Sequence, residues 1–170
     1  TTTFSVAWRP DGAYLAVGGN WAGNQARVYK FDGTNFDTAL ILNPGYTASY
    51  AQSVSWSPSG GHLAVGGFGQ VRVYSFDGTT FGPETNPGYA GTFIRSVAWS
   101  PDGRYLAVAG NLGGNTVLVY KFDGTSFAAG INVGYAGAEA RTVSWSPDGK
   151  YLAVGGNWSG NTAMVYPFDG

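Results

Sequence analysis

Short apolar runs recur four times along this chain, some alternating with polar residues and some continuous, and turn residues separate them at matching offsets. The copies read SVAWRPDGAYLAVGG, SVSWSPSGGHLAVGG, SVAWSPDGRYLAVAG and TVSWSPDGKYLAVGG, with Trp8, Trp56, Trp99 and Trp145 as landmarks. An internal period of 43 to 48 residues means stacked supersecondary units. In the third copy, Ser96-Val97-Ala98-Trp99 predicts a strand that ends at the Pro101-Asp102-Gly103 turn, where Pro presets φ and Gly supplies a positive φ. Tyr105-Leu106-Ala107-Val108 is apolar on both faces and predicts a strand buried on both. Thr116 to Tyr120 predicts a third strand, stopped by Phe122-Asp123-Gly124. The segment from Thr125 to about Val133 predicts a fourth, and Gly134-Tyr135-Ala136-Gly137 loops back toward the next tryptophan. Glycine, β-branched and aromatic residues dominate, so no helix is predicted.

Composition then narrows the class. The 170 residues are 44% hydrophobic and 16% aromatic, enough to bury a substantial core. Only 11% are charged and the net charge is −1, which offers little electrostatic resistance to self-association and no basic field for nucleic acid. The absence of cysteine removes disulfides and thiolate metal sites but leaves the compartment undetermined. Apolar stretches such as YLAVAG are too short to span a bilayer, so a soluble chain with no membrane partner is expected.

Four antiparallel strands per unit make one blade of a β-propeller. The run V-A/S-W-S-P-D-G-x-Y-L-A-V-G, followed by V-x-V-Y and Asp-Gly, resembles the WD-repeat β-propellers over the whole chain. It is also similar to the TolB-type propeller repeats in its W-S-P-D-G, its Gly-Asn loop and its V-Y. The family's Gly-His is replaced by Gly45-Tyr46, Gly88-Tyr89 and Gly134-Tyr135, and its Trp-Asp by Tyr29, Tyr74, Tyr120 and Tyr166. The family's His, Ser/Thr, Asp, Trp hydrogen-bond network is therefore not expected. The resemblance implies an all-β chain of four tandem blades over residues 1–170 that acts by binding proteins.

The chain ends carry the sharpest expectation. Elsewhere 17 to 19 residues separate Phe-Asp-Gly from the next inner strand, whereas joining Gly170 to the start supplies only Thr1-Thr2-Thr3-Phe4. The last blade is thus expected to lack its outer strand. Pro167 replaces Lys30, Ser75 and Lys121 at that edge, either blunting it or standing as a neutral change. The missing initiator Met and missing strand also fit a fragment of a longer propeller. The resemblance implies rings of seven or eight blades, so four make about half a ring with two apolar end faces. A second copy would bury both faces in a two-fold, eight-bladed homodimer. A compact four-bladed ring, with about 90° between neighbouring blades, is the alternative.

Candidate chemistry is sparse. His62, the only histidine, occupies the place of Tyr14, Tyr105 and Tyr151, which favours packing over catalysis. Asp11, Asp102 and Asp148 fall in P-D-G turns and Asp32, Asp77, Asp123 and Asp169 in F-D-G turns, where a carboxylate satisfies local backbone donors. Glu84 and Glu139 lie in different repeats, and no calcium-loop spacing or phosphate loop is present, so no catalytic, metal or cofactor site is expected. The candidate ligand or partner face combines Asn20, Trp21, Phe68, Asn111, Leu112, Asn157 and Trp158 of the second-to-third-strand loops with Tyr46, Tyr89 and Tyr135. An aromatic ring beside a carboxamide suits a sugar or a peptide, although the same rings can simply cover their own loops. Arg95 and Arg141, with Gln52 and Phe4 at the matching positions, are expected at the channel rim, there to hold an anion or to solvate the opening. Three classes remain: a non-enzymatic propeller acting by self-assembly and protein interaction, natural or engineered; a lectin-like or peptide-binding module; and an enzyme with a channel-mouth site.

Overall fold

The computed structural model describes residues 1–111, 116–158 and 161–170, leaving aside the side chains of 39–41, 158, 161 and 162. The described residues form strands and no helix. The first sheet holds β1 (Thr2–Trp8), β2 (Tyr14–Asn20), β3 (Ala26–Phe31) and β4 (Phe36–Leu42). The second holds β5 (Ala51–Trp56), β6 (His62–Gly67), β7 (Val71–Phe76) and β8 (Phe81–Thr85). The third holds β9 (Phe93–Trp99), β10 (Tyr105–Asn111), β11 (Val117–Lys121) and β12 (Ile131–Asn132). The fourth has three strands among the described residues, β13 (Glu139–Trp145), β14 (Tyr151–Trp158) and β15 (Asn161–Pro167). Strands adjacent in sequence pair antiparallel within each sheet, and the inner strands β1, β5, β9 and β13 stack in succession. This is the four-bladed β-propeller arrangement.

Turn chemistry sets the strand ends. Asp102 Oδ1 accepts the Arg104 N–H at 3.0 Å, closing the P-D-G turn. Asp123 Oδ1 accepts the N–H groups of Thr125 and Ser126 at 2.8 and 2.7 Å, and Asp77 does the same with Thr79 and Thr80. Backbone donors, and then the hydroxyls, hold both carboxyls well below the usual carboxylate range. The third outer strand departs from the expected Thr125 to about Val133, for it shrinks to Ile131–Asn132 beyond a Phe122–Phe127 bridge. Ala128, Ala129 and Gly130 are exposed and offer little apolar surface to hold them against the sheet.

Each junction between blades repeats the same contacts. Tyr14, Ala16, Ala26 and Val28 of the first blade pack against Val54, Trp56, Leu63, Val65, Tyr74 and Phe76 of the second. Equivalent sets join the second blade to the third and the third to the fourth. A serine hydroxyl crosses every seam: Ser5 Oγ accepts the Val54 N–H at 3.2 Å, Ser53 Oγ that of Val97 at 3.1 Å, and Ser96 Oγ that of Val143 at 3.2 Å. An edge-to-face ring contact crosses each seam as well, Tyr14 on Phe76 at 5.1 Å, His62 on Phe122 at 4.9 Å and Tyr105 on Phe168 at 4.8 Å.

His62 thus fills a tyrosine slot. Burial holds its imidazole below the ordinary histidine value. As pH falls the unfolded chain takes up that proton first, so stability declines as pH drops through the ordinary histidine value toward the folded one. The expected result is a melting midpoint that falls between about pH 7 and pH 5, with the decline reduced in His62→Tyr. Equal pH dependence of the two chains in a thermal melt would count against this.

The end faces carry the seam residues without a seam. Val165 is 62% exposed, whereas Val28, Val73 and Val119 are no more than 1% exposed. On the opposite end Val6 is 61% exposed, whereas Val54, Val97 and Val143 are 5% or less. Trp8 and Tyr151 are likewise exposed at the ends, while Trp56, Trp99, Tyr14 and Tyr105 are buried inside.

Candidate functional site

One irregularity recurs in all four inner strands. Thr3 pairs with Gly19 and Ser5 with Gly18, which leaves Phe4 as an extra, unpaired residue. The same bulge isolates Gln52 between Ala51 and Ser53, Arg95 between Ile94 and Ser96, and Arg141 between Ala140 and Thr142. A β-bulge re-aims its side chain out of the ladder. Each blade therefore displays one bulge residue and the residue two before it, giving the pairs Thr2/Phe4, Tyr50/Gln52, Phe93/Arg95 and Glu139/Arg141.

Glycine makes the bulge possible. A Cβ at Gly67 would lie 1.9 Å from the Tyr50 carbonyl oxygen, at Gly110 2.0 Å from that of Phe93, and at Gly156 2.2 Å from that of Glu139. These are the second residues of the Gly66-Gly67, Ala109-Gly110 and Gly155-Gly156 pairs, and only the first of each pair varies. The close backbone approach explains that difference.

The displayed residues sort into an aromatic row and a charged end. Phe4 and Tyr50 have ring centroids 5.9 Å apart, Tyr50 and Phe68 6.1 Å, and Phe68 and Phe93 5.3 Å. The Arg95 guanidinium lies 5.4 Å from the Phe93 centroid. Arg95 Nε donates to Glu139 Oε1 at 2.8 Å, and Arg141 Nε donates to Glu139 Oε2 at 3.1 Å. The two guanidinium groups hold the Glu139 carboxyl below its ordinary value, Arg95 contributing most. Gln52, Arg95 and Arg141 line a cavity of about 360 Å³. Tyr50 and Phe93 were not singled out from the sequence, and Glu139 was weighed there only as a glutamate far in sequence from Glu84, although all three stand at one repeated offset before the bulge.

The tyrosines of the expected ligand face are withdrawn from the surface. Tyr46, Tyr89 and Tyr135 are buried, because Asn43, Asn86 and Asn132 accept the N–H groups of Gly45, Gly88 and Gly134 and fold each loop back. Tyr46 OH then donates to the Gln70 carbonyl at 3.0 Å and Tyr89 OH to that of Thr116 at 3.5 Å, tying each loop to the neighbouring one. Trp21 covers its own loop: its backbone N–H donates to Gln25 Oε1 at 2.9 Å, Arg27 sits 4.8 Å from the ring centroid, and the ring closes over Gly19. Asn20, Asn111 and Asn157 are exposed, and Phe68 joins the aromatic row. Leu112 and the side chain of Trp158 lie outside the described residues. Among the described residues no cluster of three or more His, Cys, Asp or Glu side chains is placed to hold a metal ion. No helix of the described residues is long and apolar enough to cross a membrane.

The family model described as WD domain, G-beta repeat matches residues 84–121 and 133–166. No curated protein sequence matches the chain. Among solved structures it is similar to a chain of the Kuenenia stuttgartiensis hydrazine synthase, at 19% identity and a TM-score of 0.75, covering 97% of this chain and 46% of that one. It is similar too to a chain in a crystal structure of the mitotic checkpoint complex, at 18% identity and a TM-score of 0.76, covering 99% of this chain and 49% of that one. The chain thus spans about half the length of these solved chains, and at such identities the likeness is one of fold. With the repeat model matched twice and four sheets built from one repeated sequence, this chain is a β-propeller of four blades whose third and fourth repeats match the WD-repeat model.

Proposed function

We propose that the protein is a non-enzymatic interaction scaffold whose end faces are completed by a second copy, giving a two-fold ring of eight blades. The observation that carries this reading is the mismatch in burial between identical residues: Val6 and Val165 are exposed at the ends, while their counterparts are buried at every internal seam. The trailing face with Tyr151, Ala153 and Val165 matches the surface that Tyr14, Ala16 and Val28 bury, and the leading face with Val6 and Trp8 matches Val54 and Trp56. The two faces are therefore complementary to each other. A copy turned by two-fold symmetry presents each to the other and leaves no free end.

The repeat supplies the missing contacts residue by residue. Thr142 stands where Ser5, Ser53 and Ser96 stand, so its hydroxyl would accept the Val6 N–H across the new seam. Tyr151 would meet Phe31 edge to face, as Tyr14 meets Phe76. Light scattering coupled to size exclusion tests the reading: a particle of twice 17.8 kDa at micromolar concentration is expected, and a stable single copy would remove the homodimer. The scaffold role draws on the match of two repeats to the WD-repeat model. The fold likeness to a chain of a multiprotein checkpoint assembly is in keeping with it.

A further inference from the structure

We infer that the four bulges form a receptor for an acidic peptide, with carboxylates on the Arg95 and Arg141 guanidinium groups and an aromatic side chain on the row from Phe4 to Phe93. This rests on the interaction-scaffold reading but not on ring closure, because all of these residues belong to one chain.

The charged end has donors to spare. Both ion pairs to Glu139 use the Nε atoms, and no other described residue accepts from the terminal nitrogens of Arg95 or Arg141. One carboxylate faces two guanidinium groups, so the site keeps a net charge of about +1, and Glu139 fixes both forks beside the cavity. A guanidinium fork takes a carboxylate through two parallel hydrogen bonds. The amide of Gln52, on the same cavity wall, adds a donor and an acceptor suited to a peptide backbone.

The apolar end selects the rest of the ligand. Phe4 and Phe68 are 41% and 42% exposed although they contact Tyr50 and Phe93, which leaves apolar ring surface open to a ligand. The row runs from the first blade to the third and ends at Phe93, beneath Arg95. Rings next to a guanidinium also suit single-stranded nucleic acid. A nucleic-acid strand needs a basic track for successive phosphates, however, and this chain has nine Lys and Arg against ten Asp and Glu. Charge complementarity therefore favours a short acidic segment bearing aromatic residues.

The test uses the full chain and fluorescein-labelled peptides read by anisotropy. GFEEFG is expected to bind saturably, and GFQQFG and GAEEAG about tenfold or more weakly. Arg141→Ala, at an exposed position, is expected to lower affinity for GFEEFG about tenfold while the melting temperature stays put. Arg95→Lys, which keeps the charge but not the fork, is expected to weaken binding severalfold. Equal binding of GFQQFG, an unchanged affinity in Arg141→Ala, or tighter binding of an oligothymidylate than of GFEEFG would each overturn the proposal. The same titration on a chain carrying Val165→Asp separates the two readings: binding by a single-copy chain leaves the receptor standing without the ring, and a homodimer that ignores GFEEFG leaves the ring without the receptor.

Discussion

A chain carrying Val165→Asp is expected to run as a single copy at concentrations where the unmodified chain runs as two, with its melting temperature nearly unchanged. Val165 is already exposed within one chain, so the aspartate meets water and the fold loses little. In the closed ring the same site would lie against Val6, Trp8 and the residues around them, in a seam like those that exclude water at Val28, Val73 and Val119. Loss of the valine contact and burial of a carboxylate together cost about 3 kcal/mol or more at one seam. A two-fold ring has two such seams, so the dimer weakens by about 6 kcal/mol, more than four decades in Kd. Val119→Asp is the control: the same change at an internal seam is expected to unfold the chain. Sedimentation equilibrium across a concentration series reads the result, and a Val165→Asp chain that still forms pairs would place the contact elsewhere.

The second large effect falls at a glycine. Gly110→Ala is expected to lower the melting temperature by several degrees and to blunt whatever binds beside Arg95. An added methyl carbon would lie 2.0 Å from the Phe93 carbonyl oxygen and 3.1 Å from the Ile94 Cα, both backbone atoms that cannot rotate aside. Overpacking of this kind costs about 1–3 kcal/mol, sometimes more. Relief requires β9 to move off β10, which shifts the bulge and the Phe93/Arg95 pair with it. Ala109→Gly, one residue earlier, merely restores the residue found at Gly18, Gly66 and Gly155 and is expected to cost about 1 kcal/mol or less. Denaturant titration of both chains distinguishes them, and similar losses would mean that the glycine is not holding the bulge open.

Much of this architecture was legible in the letters. Pro101-Asp102-Gly103 and Phe122-Asp123-Gly124 placed the turns, and the continuous apolar run at Tyr105-Leu106-Ala107-Val108 announced a strand buried on both faces, because each kind of residue answers a local backbone or solvent demand. Register was less legible. The bulge at Arg95 exists only in the pairing of β9 with β10, and nothing within the inner strand states that one residue has been skipped. The burial of Tyr46, Tyr89 and Tyr135 was hidden for a related reason: an Asn side chain bends each loop, and a carbonyl on the neighbouring loop receives the phenol. Sequence offset alone put these rings beside Asn20 and Trp21. A signal for the aromatic row was nevertheless present, since the repeats share Ser/Thr-Val-Ala/Ser-Trp and diverge just before it, at Thr2, Tyr50, Phe93 and Glu139 and in the two residues that follow.

The serine that reaches across each seam makes every joint chemically alike, and a blade therefore carries no label of its ordinal place. A gene built this way can gain or lose a whole repeat by unequal crossover, and each new neighbour meets a surface it already fits. Length becomes a heritable variable that selection can tune, while the loops and bulges diversify one blade at a time.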